Sequence, residues 1–122
     1  MNRRLLVVED NKDMCRVISD VFEDGDFSVC TVHDGETGLQ RLKEEDYDLL
    51  ILDYRLPGKN GNFVLEQARQ IKSSLPVVMI SAYGYDARKS GVMKKGVSEF
   101  LDKPFSLDTL TAAVEKALGR KV

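Results

Sequence analysis

The chain has few of the residues on which several classes of protein depend. Its 122 residues include two cysteines, Cys15 and Cys30, and neither belongs to a Cys-x-x-Cys pair, which argues against a disulfide framework or a zinc site. We therefore expect two reduced, partly buried structural thiols. The only histidine, His33, has no cluster of candidate metal ligands beside it in the sequence, and we expect it at the surface.

Charge and hydropathy exclude two further classes. The 18 basic and 20 acidic side chains leave a net charge of −2, which gives no electrostatic footprint for direct nucleic acid binding. No apolar run approaches the roughly 20 residues needed to cross a bilayer, and the first four residues lead into a short apolar run with no cleavage site. We predict one cytoplasmic domain over residues 1–122, with no membrane contact.

Short apolar runs alternate five times with amphipathic segments, as in βα units repeated around a parallel sheet. The predicted strands are Leu5–Val8, Phe27–Val32, Asp48–Asp53, Val77–Ser81 and Glu99–Asp102. The third is apolar at nearly every position, which is typical of a strand buried on both faces at the centre of the sheet.

Five helices are predicted between and after these strands. Candidate N-caps are Asn11, Asp34 and Ser106. Gly25 could close the first helix in a left-handed turn, and Gly119 is expected to end the last helix. The third helix is expected to place inward Phe63, Val64, Ala68 and Ile71. The fourth, about Asp86 to Lys95, should be the least firmly packed, because it contains Gly91 and has only two sizeable apolar residues.

Ionisable residues stand at the ends of three predicted strands: Glu9 and Asp10 after the first, Asp53 at the third, and Lys103 after the fifth. The carboxyl ends of parallel strands form the crevice where open α/β sheets bind ligands. These carboxylates repel one another, and burying them unpaired would raise their pKa values. A hard divalent cation would compensate their negative charge. Mg²⁺, or Mn²⁺ in its place, would suit Asp10 and Asp53 as direct ligands with Glu9 bound through water.

The same cluster suits phosphoryl transfer. A carboxylate can act as a nucleophile and form an acyl phosphate, and the transfer mainly requires positioning and cations around the phosphoryl oxygens. Mg²⁺ and Lys103 would supply that charge. Ser81, at the end of the fourth strand, would donate its hydroxyl to a phosphoryl oxygen, and the small Ala82 leaves room for the group.

Four segments together resemble the receiver domain of two-component response regulators: Leu6–Asn11, Leu50–Gly61, Val77–Ala82 and Phe100–Phe105. The resemblance covers essentially the whole chain, in order. It implies an α/β, flavodoxin-like, doubly wound fold with a five-stranded parallel sheet in the order 2-1-3-4-5 and five helices.

The resemblance also implies a role for each site residue. Asp53 would be the phosphoacceptor, Glu9 and Asp10 the acid pair, and Ser81 the switch hydroxyl. Lys103 would bind the phosphate, Phe100 would be the switch aromatic, and the backbone carbonyl of Arg55 would be a further metal ligand. Lys103-Pro104 would be a cis peptide.

A histidine kinase would donate the phosphoryl group. The domain would promote its own phosphorylation and its own slow dephosphorylation, without being an enzyme in the usual sense. The surface formed by the fourth helix, fifth strand and fifth helix would then change shape and so regulate a downstream effector domain or protein. The resemblance also allows a homodimer that forms on phosphorylation.

Arg55 and Tyr83 stand two residues beyond the acceptor and the switch hydroxyl. Our hypothesis is that their side chains slow the loss of the phosphoryl group.

Three other functions fit the sequence less well. A Mg²⁺-dependent phosphohydrolase of the haloacid dehalogenase type needs a second aspartate two residues after the nucleophile, where this chain has Arg55. A flavin-binding module fails because Glu9 and Asp10 would repel the flavin phosphate. A phosphorylation-independent interaction module would not need the complete set of site residues.

Overall fold

A computed structural model describes residues 3–58, 60–82, 88 and 91–119, without the side chain of Met93. Its elements are β1 (Arg3–Val8), α1 (Lys12–Glu23), β2 (Phe27–Val32), α2 (Gly35–Glu44), β3 (Leu49–Asp53), α3 (Gly61–Ile71), β4 (Val77–Ser81), the 3-10 helix η1 (Val92–Lys95), β5 (Glu99–Asp102) and α4 (Leu107–Leu118). Most of the predicted fourth helix lies outside the described residues, and the end that is described is η1. The helix α4 is therefore the fifth predicted helix.

The five strands form one parallel sheet in the order β2-β1-β3-β4-β5. This confirms the predicted strand order. The prediction that the third strand lies at the centre is also confirmed, since β3 pairs with β1 and β4 and all five of its residues are buried. None of the helices in the described part of the chain is long and apolar enough to span a membrane.

Both faces of the sheet are covered by helices, and successive residues of a strand alternate between them. In β1, Leu5 and Val7 belong to the apolar cluster that includes residues of α1 and α4. Leu6 and Val8 belong to the cluster on the other face, formed with α2, α3 and η1. The sheet is therefore buried on both sides, as the apolar composition of its strands requires.

The three predicted N-caps are confirmed. Asn11, Asp34 and Ser106 each accept a hydrogen bond from the backbone N–H three residues later. Gly119 ends α4 in the left-handed region, with φ of 75°. The prediction for Gly25 is wrong: α1 ends in a tighter turn, in which the Gly25 N–H donates to the carbonyl of Phe22 at 3.1 Å, so no left-handed residue is needed.

The predicted inward face of α3 is partly wrong. Val64 and Ala68 are buried as expected, but Phe63 is 37% exposed and Ile71 is 36% exposed. Leu65 is buried instead. With 3.6 residues per turn, a buried stripe centred between positions 64 and 65 turns position 63 toward the other side of the helix.

Candidate functional site

Strand pairing brings the predicted site residues to one edge of the sheet. In register, Val8 lies opposite Leu52, Asp53 opposite Ile80, and Ser81 opposite Asp102. Residues that end or follow these strands therefore lie side by side. Carboxylate oxygens of Glu9, Asp10 and Asp53 lie within 4.8 Å of one another.

Lys103 joins two of these carboxylates. Its ammonium nitrogen Nζ lies 2.5 Å from Oε1 of Glu9 and 2.9 Å from Oδ2 of Asp53. Glu9 is fully buried and Asp53 is 3% exposed, whereas Asp10 is exposed at the mouth of the site. Two buried carboxylates therefore share a single ammonium group.

The remaining oxygens of the two buried carboxylates accept hydrogen bonds from the backbone. The N–H of Asn11 donates to Oε2 of Glu9 at 3.2 Å, and the N–H of Arg55 donates to Oδ1 of Asp53 at 3.0 Å. Each of the two carboxylates is thus held at both of its oxygens.

A glycine allows the loop after β3 to fold tightly around the site. The N–H of Gly61 donates to the carbonyl of Tyr54 at 2.7 Å. A Cβ atom at position 61 would lie 2.6 Å from both the carbonyl oxygen of Asp53 and Cα of Tyr54. Only glycine lets α3 begin so close to the backbone of Asp53.

Negative charge exceeds positive charge in the site. Burial raises the pKa of Glu9 to about 7, and neighbouring Asp53 adds to the rise, while Lys103 and the N–H of Asn11 act against it. Burial lowers the pKa of Lys103, but Glu9 and Asp53 outweigh that effect, so the pKa is raised. The ammonium group stays charged while Glu9 resists ionisation, which indicates that one cation does not fully compensate the carboxylates.

The donor set fits a divalent metal ion. Hard cations such as Mg²⁺ bind oxygen ligands and commonly use one or two carboxylates together with water. Three carboxylates within reach of one point, one of them exposed, meet that requirement. The backbone group of Arg55 in contact with Asp53 is its N–H, so the use of its carbonyl as a metal ligand stays a prediction.

Ser81 ends β4, and Phe100 lies in the neighbouring strand β5, opposite Met79. Ser81 is fully buried, and its carbonyl accepts the N–H of Lys103 at 2.8 Å. The half-buried Phe100 packs against the apolar cluster that includes residues of α2 and α3, with the guanidinium carbon of Arg88 4.4 Å from the ring centroid. The predicted cis peptide at Lys103-Pro104 is present. Tyr83 lies outside the described residues.

Two residues near the site were missed in the sequence. The backbone carbonyl of Glu9 is contacted by Nδ1 of His33 at 3.1 Å and by Sγ of Cys15 at 3.2 Å. His33 is therefore half-buried beside the acid pair rather than simply at the surface. The available signal was its position directly after β2, the strand that pairs with β1.

Comparisons with known proteins agree with this geometry. Residues 5–115 match the family model described as the response regulator receiver domain. The chain is 32% identical over 117 residues to the uncharacterized transcriptional regulatory protein YclJ of Bacillus subtilis (strain 168), covering 96% of this chain and 51% of that protein. It is also 32% identical over 120 residues to the alkaline phosphatase synthesis transcriptional regulatory protein PhoP of the same organism, covering 98% of this chain and 50% of PhoP.

A solved structure supports the fold. The CheY-like receiver domain protein from Methanospirillum hungatei JF-1 superposes with a TM-score of 0.92 at 20% identity, covering 98% of this chain and 95% of that one. The chain spans about half the length of the two curated relatives.

Proposed function

This chain belongs to the response regulator receiver domain family, and from that premise we propose that Asp53 accepts a phosphoryl group in a Mg²⁺-dependent reaction. One observation supports this most strongly. Asp53 ends the central strand with one oxygen on a backbone N–H and the other on Lys103, within reach of two further carboxylates. On this proposal residues 1–122 act as one receiver domain of a two-component system.

The proposed donor is a phosphohistidine of a histidine kinase. An oxygen of Asp53 attacks phosphorus, the bond from phosphorus to the imidazole nitrogen breaks, and its electron pair stays on that nitrogen, which takes up a proton. Asp53 becomes an acyl phosphate. Lys103, already 2.9 Å from the Asp53 carboxylate, is placed to stabilise negative charge on the phosphoryl oxygens.

The metal would be held by Asp10 and Asp53 directly and by Glu9 through water, with the Arg55 carbonyl as a further ligand. When bound, Mg²⁺ or Mn²⁺ would neutralise the acidic mouth and the phosphoryl oxygens. The chain's own part is to keep the carboxylates fixed by the Asn11 and Arg55 N–H groups, so that little rearrangement accompanies binding.

The proposed output is a two-state change. The Ser81 hydroxyl would bond to the phosphoryl group, Phe100 would occupy the space this releases, and the surface of the fourth-helix region, β5 and α4 would change. That surface would regulate an effector domain or protein, or form a phosphorylation-dependent homodimer. DNA contact would fall to the effector, because this domain carries a net charge of −2.

Phosphorylation by a small acyl phosphate tests the proposal. We expect the wild type to incorporate one phosphoryl group with Mg²⁺ and none with EDTA, and Asp53→Asn to incorporate none. Asp10→Asn should need a higher Mg²⁺ concentration. Asp26→Asn, the same change in the turn before β2 at the opposite end of the sheet, is the matched control and should behave as wild type.

Three outcomes would contradict the proposal. Equal incorporation by wild type and Asp53→Asn would show that another residue accepts the phosphoryl group. Continuous hydrolysis of the acyl phosphate, with no stable product, would favour a phosphohydrolase, and a complete absence of reaction would favour an interaction module that does not use phosphorylation.

A further inference from the structure

The carbonyl oxygen of Glu9 has two side-chain donors from different elements. Cys15 lies in α1, and His33 directly follows β2. A carbonyl oxygen only accepts hydrogen bonds, so the 3.1 Å contact requires that Nδ1 of His33 carry a proton. The thiol of Cys15 donates to the same oxygen, and its Sγ lies 3.7 Å from Nδ1 of His33. The two donors therefore lie side by side on one acceptor.

This carbonyl belongs to the peptide group that joins the two members of the acid pair. Because a peptide group is planar, fixing the C=O direction also fixes the direction in which Asp10 leaves Glu9. The N–H of Glu9 is fixed as well, since it donates to the carbonyl of Val32 at 3.0 Å. His33 and Cys15 therefore act on the peptide group from which the Glu9 and Asp10 side chains are positioned relative to each other.

His33 does this from a partly open position. It lines a groove with polar side chains that include Lys12, Arg16 and Asp20, so its ring is not sealed in the apolar core. Removing the ring should therefore disturb the peptide group more than it disturbs the packing of the domain.

We propose that His33, assisted by Cys15, is a positioning residue for the metal: it holds the Glu9–Asp10 peptide group so that both carboxylates face the same cation. This inference rests on the proposed Mg²⁺-dependent function. Partners that orient metal ligands commonly change affinity by 10–100-fold when removed. Here the partner acts through the backbone of a ligand, so the loss should lie near the lower end of that range.

The test compares Mg²⁺ affinity in two His33 variants. His33→Leu removes the N–H at similar size, whereas His33→Asn keeps an amide N–H near the position of Nδ1. Affinity is measured from the rise in melting temperature as Mg²⁺ is titrated into the intact chain, with the melting temperature in EDTA recorded separately. Ser19→Ala is the matched control, since Ser19 lines the same groove but donates to Glu23.

We expect His33→Leu to bind Mg²⁺ about tenfold more weakly, and His33→Asn and Ser19→Ala to stay within about twofold of wild type. Saturating Mg²⁺ should restore the phosphorylation rate of His33→Leu, because the positioning defect is in metal binding. If His33→Leu does not fold, Cys15→Ala against Cys15→Ser tests the second donor to the same carbonyl in the same way.

Wild-type affinity in His33→Leu would overturn the inference, and so would equally weak binding by His33→Asn, since the N–H would not be the cause. Both results leave the proposed function intact. A wild type that does not bind Mg²⁺ would instead overturn the proposed function together with this inference.

Discussion

The central strand β3 and the edge strand β5 differ in how they are held. All five residues of β3 are buried and the strand pairs on both sides. Among the described residues, β5 pairs only with β4, and its four residues are half-buried or exposed. The candidate phosphoacceptor Asp53 ends the first strand, and the candidate switch residue Phe100 lies in the second. On the proposed roles, the buried strand carries the residue that takes part in the chemistry, and the less buried strand carries the residue of the readout.

Polar contacts replace apolar burial around the edge strand. Arg88 donates to both oxygens of Asp102, at 3.2 and 3.1 Å, and lies over Phe100. Arg69 of α3 donates to the carbonyls of Leu75, Lys95 and Gly96, which ties α3 to the segment just before β5. Such contacts can exchange with water, so this edge can rearrange at lower cost than the centre.

The same substitution at the centre and at the edge should separate the two strands most clearly. Leu52→Ala removes a fully buried side chain from β3, and we expect it to lower the free energy of unfolding by about 3 kcal/mol. Leu101→Ala, in the half-buried strand β5, should cost about 1 kcal/mol. Urea unfolding followed by circular dichroism measures both, and equal losses would remove the contrast.

Arg69→Met should have the next largest effect. It leaves three backbone carbonyls without their charged donor, and we expect a loss of about 2 kcal/mol, with faster hydrogen exchange around η1. Arg41→Met is the control, since Arg41 is exposed and its Nη1 lies 3.8 Å from Oε1 of Glu45, a surface ion pair that should contribute little. A loss no larger than that of the control would show that this contact does not hold the edge.

The stabilisation by Mg²⁺ should depend on pH. The pKa of Glu9 in the folded chain is raised to about 7, above its ordinary value, so the metal-free fold binds a proton more tightly than the unfolded chain does. The contribution of Glu9 to metal-free stability should therefore fall as pH rises from about 4.5 to 7. Metal competes with that proton, so its apparent affinity should be about tenfold weaker at pH 6 than at pH 8, or about 1.4 kcal/mol less stabilisation under saturating metal.

Thermal denaturation with Mg²⁺ and with EDTA at both pH values measures this effect. Glu9→Gln provides the comparison, because it cannot titrate and should remove most of the pH dependence. An equal Mg²⁺ shift at pH 6 and pH 8 in the wild type would contradict the role of Glu9.

Arg88→Met should have the smallest effect on stability. Arg88 and Asp102 are largely exposed, so losing their ion pair should cost under about 1 kcal/mol. Phosphorylation by a small acyl phosphate should be unchanged, while amide exchange in β5 should become faster. Unchanged amide exchange in β5 together with slower phosphorylation would contradict the proposed difference between the two strands, because Arg88 would then affect the chemistry and not the stability of β5.

The central place of β3 and the acid cluster could be predicted because both follow from local patterns, whereas the strand order was implied by the resemblance to receiver domains. The unbroken apolar run of β3 requires burial on both faces, and parallel strands bring Glu9, Asp53 and Lys103 to one edge. The outward position of Phe63 could not be predicted in the same way. Its helix contains apolar residues on more than one side, and only the packing of Val64 and Leu65 against the sheet sets the rotation.

The contact of His33 with Glu9 lay beyond the sequence for a related reason. It joins a side chain to a backbone oxygen, and every residue has such an oxygen. The amino acid at position 9 therefore does not indicate that this oxygen binds His33. The position of Gly25 illustrates the converse: a glycine near a helix end suggested a left-handed turn, but a single backbone bond to Phe22 closed the helix without one.

The most direct test of the account is to locate the phosphoryl group by peptide mapping and mass spectrometry after reaction with a small acyl phosphate. We expect one phosphoryl group, on Asp53, formed only when Mg²⁺ or Mn²⁺ is present. A phosphoryl group on any other side chain, or equal labelling in EDTA, would contradict it.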